Sequence, residues 1–472
     1  MSNPHSRYAL LWLLPILLSS MPAKAAVFTV GPSGTHSTVE AAVAAAVAAG
    51  GTNEVRIIEA TFATNLVVGS SMTGGQLVIS GGWDHFFLTQ SKGYLTTLAG
   101  GGSRVATLAP TGGEIEIRNL TISGGVGEYG GGIRADLGSG ARLDLISCRV
   151  QDNVATRTGG GAYLALNGNA VAVVSGSRFI GNAVNGPPTW PASGGGLTVE
   201  AEGTGDLTLV SNVFEGNSAN ADDNQSTAGG VYLNVDGSTN VDFSDNTIDD
   251  NRLAGVDSGG VASGGALWIS DDATLTAQRN LCLDNRDEQG SPAYQLSVIS
   301  SGTSAVSFTD SIVAFGSHGG ISAIARDTGE LRLTNLTVLD NSTTGISLGR
   351  QTDATASLFN TISYGNLPNV STSIGVSLGS NLTTDPLLVD PAGGDWHPAT
   401  GSSVIDTGDG APPGGLGDLD FYSTPRVQGG QVNIGAVESV PEPGAAVLAV
   451  TALAALALLR RQVPGRRRSS TA

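Results

Sequence analysis

The sequence predicts an all-β parallel solenoid. Three observations predict it: a glycine cluster that returns at near-constant spacing, alternating apolar strands behind each cluster, and an asparagine that closes every copy. The clusters are Gly130-Gly131-Gly132, Gly159-Gly160-Gly161, Gly194-Gly195-Gly196, Gly229-Gly230 and Gly264-Gly265, at steps of 29, 35, 35 and 35 residues. Behind each comes an apolar strand, a polar turn and a second alternating strand, carrying Leu143/Leu145, Val171/Val173, Leu207/Leu209, Val241/Phe243 and then Leu275. A third short strand sets Val150, Phe179, Phe214, Ile248 and Cys282 in one column and ends at Asn153, Asn182, Asn217, Asn251 and Asn285. Later copies shorten, running from Asn335 to Asn341 and from Asn360 to Asn366. With no helical pattern between the strands, each coil buries its inward residues only against its neighbours, so a stacked column must repeat its residue type. Propeller blades are the alternative architecture, but they need hairpin turns, and Asn-Gly and Asp-Gly pairs are scarce here.

Composition agrees with many short elements punctuated by glycine. Gly supplies 68 of 472 residues, charged residues only 14% and aromatics 5%. Glycine without a three-residue period excludes collagen, and an apolar content of 40% excludes wholesale disorder. Residues 26–440 hold 16 basic and 40 acidic residues, a formal charge of about −24. Such a surface repels nucleic acid and anionic lipid, so no nucleic-acid partner is expected.

The two ends read as addresses. Arg7, the apolar run Tyr8–Leu18 and the small residues around Lys24 form a secretory signal peptide over residues 1–25, with the mature chain starting near Ala26. At the other end, Val440-Pro441-Glu442-Pro443-Gly444 leads into fifteen apolar residues, Ala445–Leu459, and then Arg460, Arg461 and Arg466-Arg467-Arg468. Fifteen residues at ~1.5 Å each fall short of the ~30 Å hydrocarbon core, and the arginines stay on the cytoplasmic side. This ending resembles the PEP-CTERM sorting signal over residues 440–472, with Pro441, Glu442 and Pro443 as its motif. The resemblance implies an exosortase-type processing enzyme as partner, a transient membrane anchor through this segment alone, and export to the surface or matrix of a Gram-negative bacterium.

A solenoid needs covered ends. Ser37-Thr38-Val39-Glu40 forms a capping box, Val39, Val43 and Val47 share a helical face, and Gly50 stops the helix, so a short amphipathic helix is expected over the N-terminal mouth. The repeat columns, with Asn212, Asn246 and Asn280 continuing Ser177 and Cys148, resemble right-handed parallel β-helices of the pectate-lyase-like superfamily. The resemblance implies an all-β, right-handed parallel β-helix, a three-sheet solenoid with a short N-terminal capping helix, over residues 26–380. In it, the asparagine ladder serves to satisfy the backbone. From Asp385-Pro386 through Asp395-Trp396-His397 and Val404-Ile405-Asp406 to Asn433-Ile434-Gly435-Ala436-Val437-Glu438, residues 381–439 resemble the choice-of-anchor Q module, which closes that end. Phe421 stands where that pattern has Gly and Asn433 where it has Asp, which counts against a metal in this loop.

Candidate chemistry is sparse. Gly345-Ile346-Ser347-Leu348-Gly349 and Gly375-Val376-Ser377-Leu378-Gly379 match the nucleophile-elbow pattern, but two copies thirty residues apart read as a coil repeat. Asp249 and Asp250 at one corner, with Asp284 and Asp287 at the next, are oxygen-rich enough to be candidate Ca²⁺ ligands; no other cofactor is expected. Polysaccharide lyases of the resembled superfamily pair Ca²⁺ with a Lys or Arg base; no lysine follows Lys92, leaving Arg252, Arg279 or Arg286. Cys148 and Cys282 fall four coils apart, about 19 Å, beyond disulfide reach. On the outward face, Arg134, Tyr163, Thr198 and Tyr232 alternate against inward Ile133, Ala162, Leu197 and Val231, while the faces of Leu267 and Trp268 stay open. With Trp190 from a nearby insertion, Arg134, Tyr163 and Tyr232 form a candidate sugar-stacking strip whose tyrosines should be removable without loss of stability. The expected role is structural or adhesive, with weak binding of extracellular polysaccharide; a polysaccharide lyase or glycoside hydrolase on the same scaffold is the alternative.

Overall fold

The computed structural model describes residues 25–438 apart from 188–190, 222–225, 256–261, 289–292, 352 and 429. Residues 1–24 of the expected signal peptide and the expected sorting tail, with Pro441, Glu442, Pro443 and Ala445–Leu459, therefore lie outside the described residues, as does Trp190. Among the described residues no helix is long and apolar enough to cross a membrane.

Three parallel sheets wind together as a solenoid. The first has thirteen strands, from Ala26–Val30 to Ser377–Gly379. The second has eleven, from Thr61–Ala63 to Ile362–Tyr364, and the third eleven, from Leu66–Val68 to Val370–Thr372. The inward columns pair as the repeats require: Val150 with Phe179, then Phe214, Ile248 and Cys282, all fully buried. One coil is out of phase with expectation. In Val171–Ser175 the residues facing the core are Ala172 and Val174, while Val171 and Val173 face outward. Every position from Ala170 to Val174 is apolar, so alternation alone does not choose the face; pairing with Leu143/Leu145 and Leu207/Leu209 does.

Six coils carry a fourth strand beyond the three expected. Val126–Tyr129, Val154–Thr158, Ala183–Gly186, Ser218–Ala221, Arg252–Gly255 and Arg286–Asp287 form a six-stranded parallel sheet ahead of the glycine clusters. Segments such as Ser218-Ala219-Asn220-Ala221 have little intrinsic strand preference and pair because stacked neighbours hold them in line. The glycines behind them are required by contact. A Cβ on Gly160 would collide with the carbonyl oxygens of Gly195 and Ala183, and one on Gly195 with those of Gly229 and Ser218.

Two corners of each coil use one left-handed residue followed by a ladder residue. Asp152, Gly181, Gly216, Asp250 and Asp284 occupy one such column with φ between 48° and 62°. The asparagine after each bonds the next: Asn153 Nδ2 donates to Asn182 Oδ1 at 3.0 Å, Asn182 to Asn217 at 3.0 Å and Asn217 to Asn251 at 2.9 Å. Asn251 continues to Asn285 at 3.0 Å, and Gln295 then carries the run on to Asn341 and Asn366. A second ladder runs from Cys148 through Ser177, Asn212, Asn246 and Asn280. The five asparagines from Asn153 to Asn285 are buried, so each amide satisfies backbone groups that no water reaches.

The ends differ from each other. The helix Val39–Ala49 covers the N-terminal mouth with Val39, Ala42, Val43 and Ala46. Its N-cap is Thr38, which accepts from Ala41 N; the Glu40 carboxylate reaches Thr64 and Asn65 instead of closing a box on Ser37. The C-terminal module does not close the opposite mouth. Its Trp396, Val404, Ile434, Ala436 and Val437 pack on Ile312, Ala314, Leu339 and Ile362, outward residues of the second sheet, so it lies along the side of the solenoid. In the final coil Ile374 is 98% exposed and Leu378 53%. Ser347 lies in the third sheet and Ser377 in the first, so the two elbow-like motifs are not copies of one coil position.

Candidate ligand-binding cleft

The outward column of the third sheet is in register as expected. Arg134 pairs with Tyr163, Tyr163 with Thr198, Thr198 with Tyr232, and Tyr232 with Ala266. Leu267 turns inward and is fully buried, while Trp268 shares the outward face and meets Tyr232 edge-on at 5.2 Å. The fourth sheet and the segment Pro191–Ser193 rise beside this face and convert it into a cleft of about 440 Å³. Its walls include Arg134, Tyr163 and Tyr232 together with Tyr129, Arg157 and Glu200.

The strip is therefore a recess and not an open stacking surface. Thr198 is fully buried, its hydroxyl bonded to Thr158 at 2.7 Å and to Ser193 O at 3.1 Å. Tyr163 is 7% exposed, its ring 5.2 Å from that of Tyr129. Its hydroxyl donates to Glu200 Oε2 at 2.5 Å. Burial first, then the carboxylate of Glu200, pushes this phenol far above its ordinary range; burial does the same to Tyr232. Tyr163 thus carries structural weight, and its truncation is not neutral for stability as the sequence alone implies.

The cations converge on Tyr129. The guanidinium carbon of Arg157 lies 4.9 Å from the ring centre and that of Arg134 5.3 Å. Arg134 also grips Asp136 through Nε at 2.7 Å and Nη2 at 3.3 Å, and this hydrogen bond holds its charge more firmly than usual. Arg104 reaches the same place from below, donating to Tyr129 O and Gly130 O; burial and then Arg134 lower its proton affinity. Asp136 and Glu200 occupy one outward column with Ala165 between them, two coils or about 10 Å apart. Alternation with Arg134 and Thr198 places both acids on this face, a signal present in the sequence; Tyr129 and Arg157 belong to the fourth sheet, which periodicity does not reveal.

The four candidate Ca²⁺ ligands do not come together. Asp250 and Asp284 are left-handed corner residues in a column that glycine also fills, so their acids serve backbone geometry. Asp250 is paired with Arg252 at 3.6 Å and Arg286 at 3.5 Å. Burial and then Asp284 push the proton affinity of Asp249 up. Asp287 belongs to the fourth sheet beside Leu253 and is buried. Among the described residues no three His, Cys, Asp or Glu side chains are placed to hold a metal ion. The candidate arginine bases are engaged as well, Arg279 by both oxygens of Asp245 at 2.7 and 2.8 Å, Arg252 and Arg286 by Asp250.

The family model for the right-handed β-helix region matches residues 35–362. The chain belongs to the right-handed β-helix family. No curated protein matches it. Within this β-helix the match spans every coil that builds the cleft, and it stops short of the C-terminal module.

Proposed function

We propose that this β-helix protein is exported, resides at the cell surface or in the extracellular matrix, and binds polysaccharide weakly through the cleft of the third sheet. The observation that carries the reading is the convergence of Tyr129, Tyr163 and Tyr232 with Arg134, Arg157 and Glu200 around one recess of about 440 Å³. Aromatic faces take the apolar side of a sugar ring while guanidinium and carboxylate groups bond its hydroxyls or acids. Each stacked ring adds about 1 kcal/mol, so single sites bind in the millimolar range and many copies supply retention. Residues 1–25 support export, and residues 440–472 support processing by an exosortase-type enzyme with membrane contact limited to that segment.

A lyase or glycoside hydrolase on the same scaffold is the second reading, favoured by Asp136 and Glu200 on one face. Against it, Asp136 is gripped by Arg134 and Glu200 by Tyr163, which leaves no acid and base aimed at one bond. Affinity electrophoresis in gels of matrix polysaccharide tests the binding reading, with Arg157→Gln and Glu200→Gln expected to lose retardation. Unaltered retardation by both variants contradicts it, and release of reducing or unsaturated ends from the polymer promotes the enzymatic reading.

A further inference from the structure

Where the C-terminal module meets the solenoid, one buried arginine faces three buried carboxylates. Arg426, Asp310, Asp420 and Glu438 are all essentially inaccessible. Arg426 Nε lies 3.3 Å from Asp310 Oδ1 and Nη1 3.2 Å from Glu438 Oε1, and its other amino group bonds Gly435 O. Glu438 in turn donates its backbone N–H to Asp420 Oδ2 at 2.8 Å and receives that of Asn433 at 3.0 Å. Asp310 belongs to the solenoid, where it is the left-handed corner residue before Ser311. The other three groups belong to the module. The cluster is thus the ionic joint between the two parts.

Its charges do not balance. Three ionised carboxylates against one guanidinium leave two negative charges in a site closed to solvent, where burial penalises each uncompensated ion. The neighbouring cation Arg279 relieves this only in part: it interacts with Asp310 from one coil before, but its hydrogen bonds go to both oxygens of Asp245. Asp406 adds a further negative charge toward Glu438. Asn335 donates to Asp310 Oδ1 at 3.1 Å, but Asp310 Oδ2 is buried without a hydrogen-bond partner. A retained proton is the remaining way to lower the charge.

We propose that Asp310, Asp420, Glu438 and Arg426 form a proton-dependent latch that fastens the C-terminal module to the solenoid and slackens as pH rises toward neutrality. Burial pushes the Glu438 carboxyl up to about 7, with Arg426 pulling the other way, and burial raises Asp310 as well. The latched state therefore holds a proton that the opened state, with an ordinary carboxyl near 4.5, releases. Stabilisation is fully present below about pH 4.5, fades as pH rises and is gone above about 7. The opening equilibrium climbs about tenfold per pH unit through that window and then levels off.

Hydrogen exchange of the full chain at pH 5, 6, 7 and 8, corrected for the intrinsic pH dependence of exchange, reads the latch directly. Protection of residues 418–438 is expected to fall about 40-fold from pH 5 to 7 and only about twofold from 7 to 8. Protection in the core strand Leu207–Val210 stays constant. Glu438→Gln mimics the protonated carboxyl and flattens the profile at the pH 5 level, and Asp310→Asn serves where that variant does not fold. Protection of residues 418–438 that is independent of pH in the natural chain overturns the proposal, as does an unchanged pH profile in a folded Glu438→Gln or Asp310→Asn variant.

Discussion

The Tyr163 hydroxyl reaches diagonally across one coil to Glu200 Oε2, 2.5 Å away, because Tyr163 stands beside Thr198 and Glu200 lies two residues further along that strand. This single bond ties two neighbouring coils of the third sheet together across the cleft. It also makes the ring of Tyr163 part of the packing against Tyr129. Tyr163→Phe keeps the ring and removes the bond, which costs about 1–2 kcal/mol. Tyr163→Ala removes both and costs about 2–4 kcal/mol. Thermal unfolding of the two variants checks the order; equal midpoints for Tyr163→Ala and the natural chain would refute it.

The asparagine ladder predicts a larger penalty for a residue that touches no ligand. Asn217 donates to Phe179 O and Asn251 Oδ1 and accepts from both the side chain and the backbone N–H of Asn182. Asn217→Ala strands several buried groups at once, each worth about 1–3 kcal/mol, so a loss of more than ~3 kcal/mol is expected. Asn381, near the end of the solenoid and only partly buried, should cost about 1 kcal/mol on the same change. Denaturant titration of both variants measures the difference.

Asp250 should behave as a backbone residue and not as a ligand. Gly181 and Gly216 fill its column with φ of 60° and 62°, so Asp250→Gly is expected to change stability by less than ~1 kcal/mol. Asp250→Val, which cannot enter the left-handed region cheaply, should cost about 1–2 kcal/mol or more. Millimolar Ca²⁺ or a chelator should leave the unfolding midpoint where it is. A Ca²⁺-dependent rise that Asp250→Gly abolishes would restore the metal reading of this corner.

Cys148 and Cys282 should be silent toward thiol reagents in the native protein. Both are buried free thiols, burial pushes each up to about 12, and the Cys148 sulfhydryl also donates to Ile117 O at 3.2 Å. At pH 8 a group with that proton affinity is thiolate in only about one molecule in 10⁴, even before access is considered. Titration with an aromatic disulfide reagent should release no chromophore from the folded chain. Two equivalents should appear on denaturation. Rapid reaction of either thiol in the native state contradicts the burial of its column.

Much of this molecule was determined by periodicity alone. A solenoid repeats its stacking contacts, so the columns Val150 to Cys282 and Asn153 to Asn285 are written as residue types recurring one coil apart, and Arg134 to Tyr232 as the positions alternating with an apolar column. That is why the parallel coils, both ladders, the N-terminal helix and three members of the cleft were legible. What the tertiary structure decided lies where repetition is silent. The phase of Val171–Ser175 depended on its neighbours because every residue there was apolar enough for either face. The fourth sheet, and with it Tyr129 and Arg157, depended on pairing between short segments whose residue types do not recur from coil to coil. The corner acids looked like ligands because an oxygen-rich motif and a left-handed turn both select aspartate, and only the backbone angle of Asp250 separates the two. The module's place along the side, and the joint of Asp310 with Arg426, join residues more than a hundred positions apart that share no repeat. Local pattern carries contacts between equivalent positions one coil apart; contacts between non-equivalent surfaces exist only once the chain has wound.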